Sequence, residues 1–230
     1  MNAYVEPELV RSTSVRLIHP TDIGIAARAV EAGELVIVPT SRWYMICADA
    51  GNPDACKRIF EGKKRPSGKS LAFVVPSLEA CESRFHLTPE AKQLATAFWP
   101  GDLALLLPWR EPADAARHAA VGSPALTTYD PGILGALAAA TETPIAATTV
   151  NISGDGGPDD RGPAITLNEV DRFLEATGVK VEVIVDGGIC ASANHMTIVD
   201  CFVQEARLSR TGLVHQRAVS AALGREVHSS

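Results

Sequence analysis

Leu35-Val36-Ile37-Val38 leads directly into Pro39-Thr40-Ser41-Arg42-Trp43-Tyr44. Four apolar residues in a row do not alternate as a half-exposed strand would. They read as a strand buried on both faces. The residues after it differ in kind: hydroxyls, an arginine and two aromatics stand just past its carboxyl end. Open α/β sheets place ligands at that position. A packed strand edge with Trp43 in the core accounts for the same residues, so both readings stay open.

Working outward, the pattern alternates. Residues 14–19 read as a short strand, and 22–31 as a helix with Ile23, Ala26, Ala27 and Val30 on one face and Gly33 as its stop. Asn52-Pro53 opens a helix that closes at Gly62. A buried strand follows at 71–75, then helices opened by Ser77 and by Thr88-Pro89, then a strand at 103–107. A helix at 131–140 precedes a strand at 144–148. Thr166-Leu167-Asn168-Glu169 is a capping box and starts another helix. Strands are expected at 181–185, 197–200 and 203–208, and a last helix at 213–223 with a frayed tail from Arg225. The 155–163 stretch has loop composition. Strands and helices interleave with no linker between them, which predicts one α/β domain.

Composition narrows the classes. Aromatics make up only 5% of the 230 residues, so aliphatic side chains must fill the core. The formal net charge of −6 excludes a general polyanion binder, and an anion site must be a local basic patch. The five cysteines are odd in number and contain no CxxC pair, which argues against a disulfide scaffold or a zinc site and for a reducing compartment. No apolar run approaches the roughly 20 residues of a membrane span. Residues 1–16 lack the order of a signal peptide, so a cytoplasmic location is expected. The six histidines form no metal pattern, and Cys47 and Cys56 read as core residues.

Several further segments could carry chemistry. Gly62-Lys63-Lys64-Arg65-Pro66-Ser67-Gly68-Lys69-Ser70 puts four cations between a helix and a buried strand. Lysine supplies a mobile point charge and arginine a fork for two phosphate oxygens. A solvated basic loop fits the same composition. It is not a P-loop, because Lys63 stands where the first glycine is required. Thr148-Thr149-Val150-Asn151-Ile152-Ser153-Gly154 also follows a strand, and reads as a phosphate or ribose contact or as a plain turn. Phe98-Trp99-Pro100-Gly101-Asp102 is a turn with aromatic packing. His195-Met196-Thr197-Ile198-Val199-Asp200, followed by Arg210-Thr211-Gly212, offers Arg210 to an anion or to solvent.

The order and spacing of these segments resemble the YrdC-like family, whose best-known members are threonylcarbamoyl-AMP synthases. The resemblance rests on Pro39-Thr40 with Tyr44, Lys63-Lys64-Arg65-Pro66 with Lys69-Ser70, Trp99-Pro100-Gly101, Asn151 with Ser153-Gly154, Met196-Thr197, and Arg210-Thr211-Gly212. It covers residues 14–214, leaving 1–13 as an extension and 215–230 as a C-terminal helix and tail. It implies a twisted mixed sheet flanked by helices, with a concave basic face. It implies condensation of ATP, bicarbonate and threonine, with magnesium on the phosphates, to a carbamoyl-adenylate and pyrophosphate. Alignment and anion neutralisation would do the chemistry. Lys63, Arg65 and Thr40 are the implied catalytic residues. Lys69, Thr149, Asn151, Ser153, Thr197 and Arg210 are the implied nucleotide contacts. Arg42, Tyr44, Thr127 and Thr128 are implied at the small-substrate end.

The chain also departs from that pattern. Ser41 and Arg42 replace an aspartate and a threonine, Met45 a glycine, and the arginine expected within 125–130 is missing. Asp102, Ala104, Val150 and Met196 differ as well. The nucleotide side is kept and the amine side rewritten, which suggests a different acceptor, with Arg42 replacing the missing arginine. Other readings are a carbamoyl-transfer enzyme, or a non-catalytic nucleotide- or RNA-binding module with at most weak RNA contact.

Overall fold

The computed structural model describes residues 15–64, 69–152, 162–191 and 194–229. In chain order the elements are β1 (Arg16–Ile18), α1 (Ile23–Glu31), β2 (Val36–Pro39), β3 (Tyr44–Asp49), α2 (Pro53–Gly62), β4 (Ala72–Val74), α3 (Leu78–Arg84), α4 (Pro89–Phe98) and β5 (Leu103–Leu107). There follow α5 (Pro112–Arg117), β6 (Ala125–Thr128), α6 (Ile133–Ala140), β7 (Ile145–Thr149), α7 (Leu167–Thr177), β8 (Val183–Val185), β9 (Thr197–Asp200), β10 (Arg207–Arg210) and α8 (Gln216–Leu223). The strands form one mixed sheet in the order β1-β8-β2-β3-β7-β4-β6-β5-β9-β10.

The apolar run at 35–38 is buried on both faces, as its composition requires. Leu35 and Ile37 join the larger hydrophobic cluster, and Val36 and Val38 the smaller one on the other side. The larger cluster also takes buried residues of α2, α3, α4, α7 and α8. Each fully buried leucine or isoleucine there contributes about 1.5–3 kcal/mol. The smaller cluster contains α1 and α6 but no residue of β5, β6 or β9. On that side, Met45, Thr149, Ala72, Leu126, Leu106 and Ile198 are only half-buried. Among the described residues, helices therefore cover one face of the sheet and only part of the other.

The strip left open is bordered by residues from opposite ends of the strands. The registers run Asp49–Ile145–Val74–Thr128–Ala104–Ile198 across the sheet. Tyr44 thus lies at the far end from Thr128. Strand twist turns a sheet into a saddle, and diagonal corners of a saddle rise on the same face. This brings the β2–β3 turn against the loops flanking β5 and β6, where Arg42 bonds Asp102.

Four readings need correction. β3, a central strand antiparallel to both β2 and β7, was not expected. Its turn carries no glycine pair. Instead Thr40 Oγ1 donates to Trp43 O (2.8 Å) and accepts from the amides of Arg42 and Trp43. The helix α5 was likewise not anticipated. The last strand begins at Arg207 rather than 203, because Ala206 N is drawn away to Glu90 Oε2 (2.7 Å). Residues 225–229 are docked, not frayed. Arg225 binds both carboxylate oxygens of Glu90 (2.6 and 2.7 Å), Val227 is buried, and His228 O accepts from Leu208 N. Among the described residues no helix is long and apolar enough to cross a membrane.

Candidate active site

One end of the open strip is built around a lysine. Asn52 caps α2, and Lys63 sits at its other end. Lys63 is 0% exposed, so the solvated-loop reading fails for this residue. Its ammonium donates to Thr149 O, to Asn151 O (2.5 Å) and to Asn151 Oδ1 (2.9 Å). Thr149 Oγ1 donates to the same amide oxygen at 2.7 Å. The ring of Phe173 lies 5.9 Å from the ammonium. Lys63 therefore fixes the loop after β7 from behind. Extending the β4–β7 register puts Ser70 level with Thr149, with the exposed Lys69 beside it. Arg65 and Ser153 lie outside the described residues.

The other end is built around Arg42, which is 3% exposed. It bonds Asp102, and Asp130 Oδ2 stands 4.0 Å away. Asp102 arrives there because Gly101 N bonds Tyr129 O (2.9 Å), which clamps the Trp99–Asp102 turn to the exit of β6. Asp130 is held by Gly132 N (2.8 Å) and overlain by α6. Gly135 makes that approach possible, since a Cβ there would come 1.9 Å from Asp130 O. Burial lowers the Arg42 pKa and Asp130 opposes the shift. Arg42 Nε is enclosed without a hydrogen-bond partner.

Arg210 and His195 complete this end. Arg210 Nε donates to Met196 O at 3.1 Å. Gly212 lets the chain lie this close, because a Cβ would meet His195 O at 2.3 Å. The rings of His195 and Trp43 pack in a T-shaped pair, with centroids 5.0 Å apart. Burial, then Arg210 and Arg42, hold the His195 pKa below the ordinary imidazole value. Thr128 closes the floor with its hydroxyl 3.7 Å from Met196 Sδ. Asp102 and Asp130 both face Arg42, so this end is mixed in charge.

Several expected ligand contacts are structural. Thr127 and Thr128 do not act together, because neighbouring strand residues face opposite ways. Thr127 is 0% exposed, and its hydroxyl donates to Leu105 O at 2.8 Å. Thr197 is also fully buried, and its hydroxyl donates to Val214 O and accepts from Gly212 N and Val214 N. Tyr44 donates to Gly188 O (2.8 Å), and burial pushes its pKa up to about 12. Thr40 holds the turn described above. The roles of Asp102 and Asp130 as partners of Arg42 were missed. The available signal was Arg42 itself: an arginine in an apolar stretch needs a carboxylate from elsewhere in the chain. Among the described residues no group of three or more His, Cys, Asp or Glu could hold a metal ion.

A mixed sheet with helices over one face and part of the other, its open strip bordered by Lys63 and Lys69 at one end and by Arg42 and Arg210 at the other, defines a single-domain α/β protein. The sequence profile of the Sua5/YciO/YrdC family, described as telomere recombination, matches residues 28–212. The chain belongs to that family. It is 32% identical to the threonylcarbamoyl-AMP synthase of Pyrococcus abyssi over 203 residues, which are 88% of this chain and 57% of that protein. It is 30% identical to the Bacillus subtilis enzyme of the same name, over 88% of this chain and 56% of the relative. The chain thus spans a little over half the length of these two relatives. The structure of P. abyssi Sua5 complexed with L-threonine is similar at a TM-score of 0.78 and 29% identity, over 94% of this chain and 62% of that one. Escherichia coli YciO shares the fold, with a TM-score of 0.74 at 18% identity, over 90% of this chain and all of that one.

Proposed function

We propose that this chain is a nucleotidyltransferase that joins a carboxylated small amine to the AMP portion of ATP. A protonated amine and bicarbonate give a carbamate, water and a proton. A carbamate oxygen then attacks the α-phosphorus and expels pyrophosphate. The names of the relatives make L-threonine the reference amine.

The observation that carries this reading is that one open strip of sheet is bordered at one end by the Lys63-fixed Thr149–Asn151 loop and at the other by Arg210. Lys69, Thr149, Asn151 and Arg210 would contact the nucleotide. Lys63 would act through the loop, adding a positive charge behind it. Magnesium would arrive on the triphosphate, held by phosphate oxygens. Aligning the two anions and offsetting their charge supplies the rate gain, with no covalent intermediate on the protein.

The test supplies the purified chain with ATP, magnesium, bicarbonate and a panel of small amines. Pyrophosphate and a carbamoyl-adenylate of matching mass should form in equal amounts. Dependence on carbamoyl phosphate in place of bicarbonate would favour carbamoyl transfer. ATP binding without pyrophosphate release would favour a non-catalytic module.

A further inference from the structure

We infer that the groove between α2 and residues 116–120 is an effector site for a small apolar carboxylate. Pro53, Cys56, Lys57 and Phe60 recur at helical spacing, so they share one face of α2, and that face forms one wall. Residues 116–120 supply the other wall. Pro53, Cys56 and Phe60 present apolar surface, while Ala116, Ala119 and Ala120 are too short to reach across and fill the space. The groove that remains has a volume of about 280 Å³, at the lower end of ligand-pocket sizes. Among its described lining residues the charged ones are Lys57 and Arg117, both exposed cations. Lys57 stands 3.6 Å from Glu61, and both side chains are largely in solvent. A ligand with an apolar body and one carboxylate matches this arrangement. Its body takes the alanine-lined space, and its charge meets the two cations.

The groove lies away from the open strip, yet both of its walls lead to it. Phe60 and Ala120 pack on the larger hydrophobic cluster, on the sheet face opposite the strip. A ligand there cannot touch a nucleotide in the strip. However, α2 ends at Lys63, whose ammonium fixes the Thr149–Asn151 loop. On the other wall, Ala120 O accepts from Leu71 N (2.9 Å). Gly122 lies so close to Ser70 that a Cβ would come 2.3 Å from its Oγ. A shift of residues 119–122 is therefore felt at Ser70 and at its neighbour Lys69. A ligand wedged between the walls ties these two supports together. ATP binding that uses both then has less ordering left to do, so occupancy should tighten it. This coupling, unlike the site itself, rests on the nucleotide reading above.

The test titrates 3-phenylpropionate into the isotope-labelled whole chain, without nucleotide, and follows backbone amide signals. The control is 3-phenyl-1-propanol, the same skeleton with a neutral end. The carboxylate should saturate at about millimolar concentration and shift Lys57, Phe60, Arg117 and Ala120. It should bind about fivefold more tightly than the alcohol. Lys57→Gln and Arg117→Gln, at exposed positions, should each weaken the carboxylate and leave the alcohol unmoved. Ala116→Trp, also at an exposed position, should fill the groove and block both ligands. The glutamine variants carry the test if the tryptophan variant does not fold. Failure to saturate in the millimolar range, equal affinity of alcohol and carboxylate, or shifts elsewhere on the chain overturns the site. A second titration adds magnesium–ATP to the chain saturated with 3-phenylpropionate, where ATP affinity should rise about fivefold. Unchanged ATP affinity overturns the effector role. Binding of the carboxylate with no binding of ATP under any condition sinks the nucleotide reading and leaves the carboxylate site standing.

Discussion

Lys63 and Arg210 are both cations at the open strip, but they should respond differently to removal. Lys63→Met leaves the carbonyls of Thr149 and Asn151 without their buried donor. Each buried acceptor left unpaired costs about 1–3 kcal/mol. Stability to denaturant should therefore fall by about 2–5 kcal/mol, and ATP affinity should fall with it. Arg210→Ala removes an exposed guanidinium that donates to Met196 O, so stability should hold within about 0.5 kcal/mol while ATP affinity drops. Equal stability losses in the two variants would contradict this division. Arg210→Ala should also raise the midpoint of His195, read from its ring proton signals, because Arg210 is among the causes that hold it down. A midpoint that stayed put would place the two side chains too far apart to interact. At this scale the sequence made the residue types readable but not their surroundings. Lys63 and Arg42 stood out as candidate site cations, yet whether a cation faces ligand, carbonyl or carboxylate depends on chain segments far away in sequence.

Among the elements, the docked C-terminal segment and the β2–β3 hairpin were the least legible. Arg225 and Glu90 are 135 residues apart, and nothing local to either announces a pair. The Arg225 hydrogen bond is the first cause of the low Glu90 pKa. A carboxylate depressed in the folded state adds stability above its ordinary pKa and loses it as pH falls through the folded one. The pair should thus contribute at pH 7 and fade below pH 4.5, the ordinary value for this group. Both side chains are partly solvated, so Glu90→Gln should cost only about 1 kcal/mol at pH 7 and nothing at strongly acid pH. A cost independent of pH would mean the ion pair is not what holds the segment. The hairpin was missed for a different reason. A threonine hydroxyl, not a glycine pair, makes the turn that leads into Tyr44–Asp49. Helices with side-chain caps, such as those opened by Asn52, Ser77, Thr88 and Thr166, were legible because the signal lies within four residues.

At the scale of the whole molecule, the alternation of strands and helices was enough to give an α/β sheet protein. The mixed strand order was beyond it, since pairings such as β8 with β2 and β5 with β9 join distant segments. The order matters because it decides which half-face stays open. With β6, β5 and β9 at one side, α1 and α6 cannot reach across the sheet, and twist then lifts two diagonal corners toward the gap. The central claim is that this gap is where the nucleotide binds. It is tested most directly by titrating magnesium–ATP into the isotope-labelled chain and following backbone amide signals. The account predicts shifts at Thr149, Asn151, Met196, Ile198 and Arg210, with those of α3 and α7 unmoved. Shifts confined to the helix-covered side, or none at saturating ATP, would contradict it.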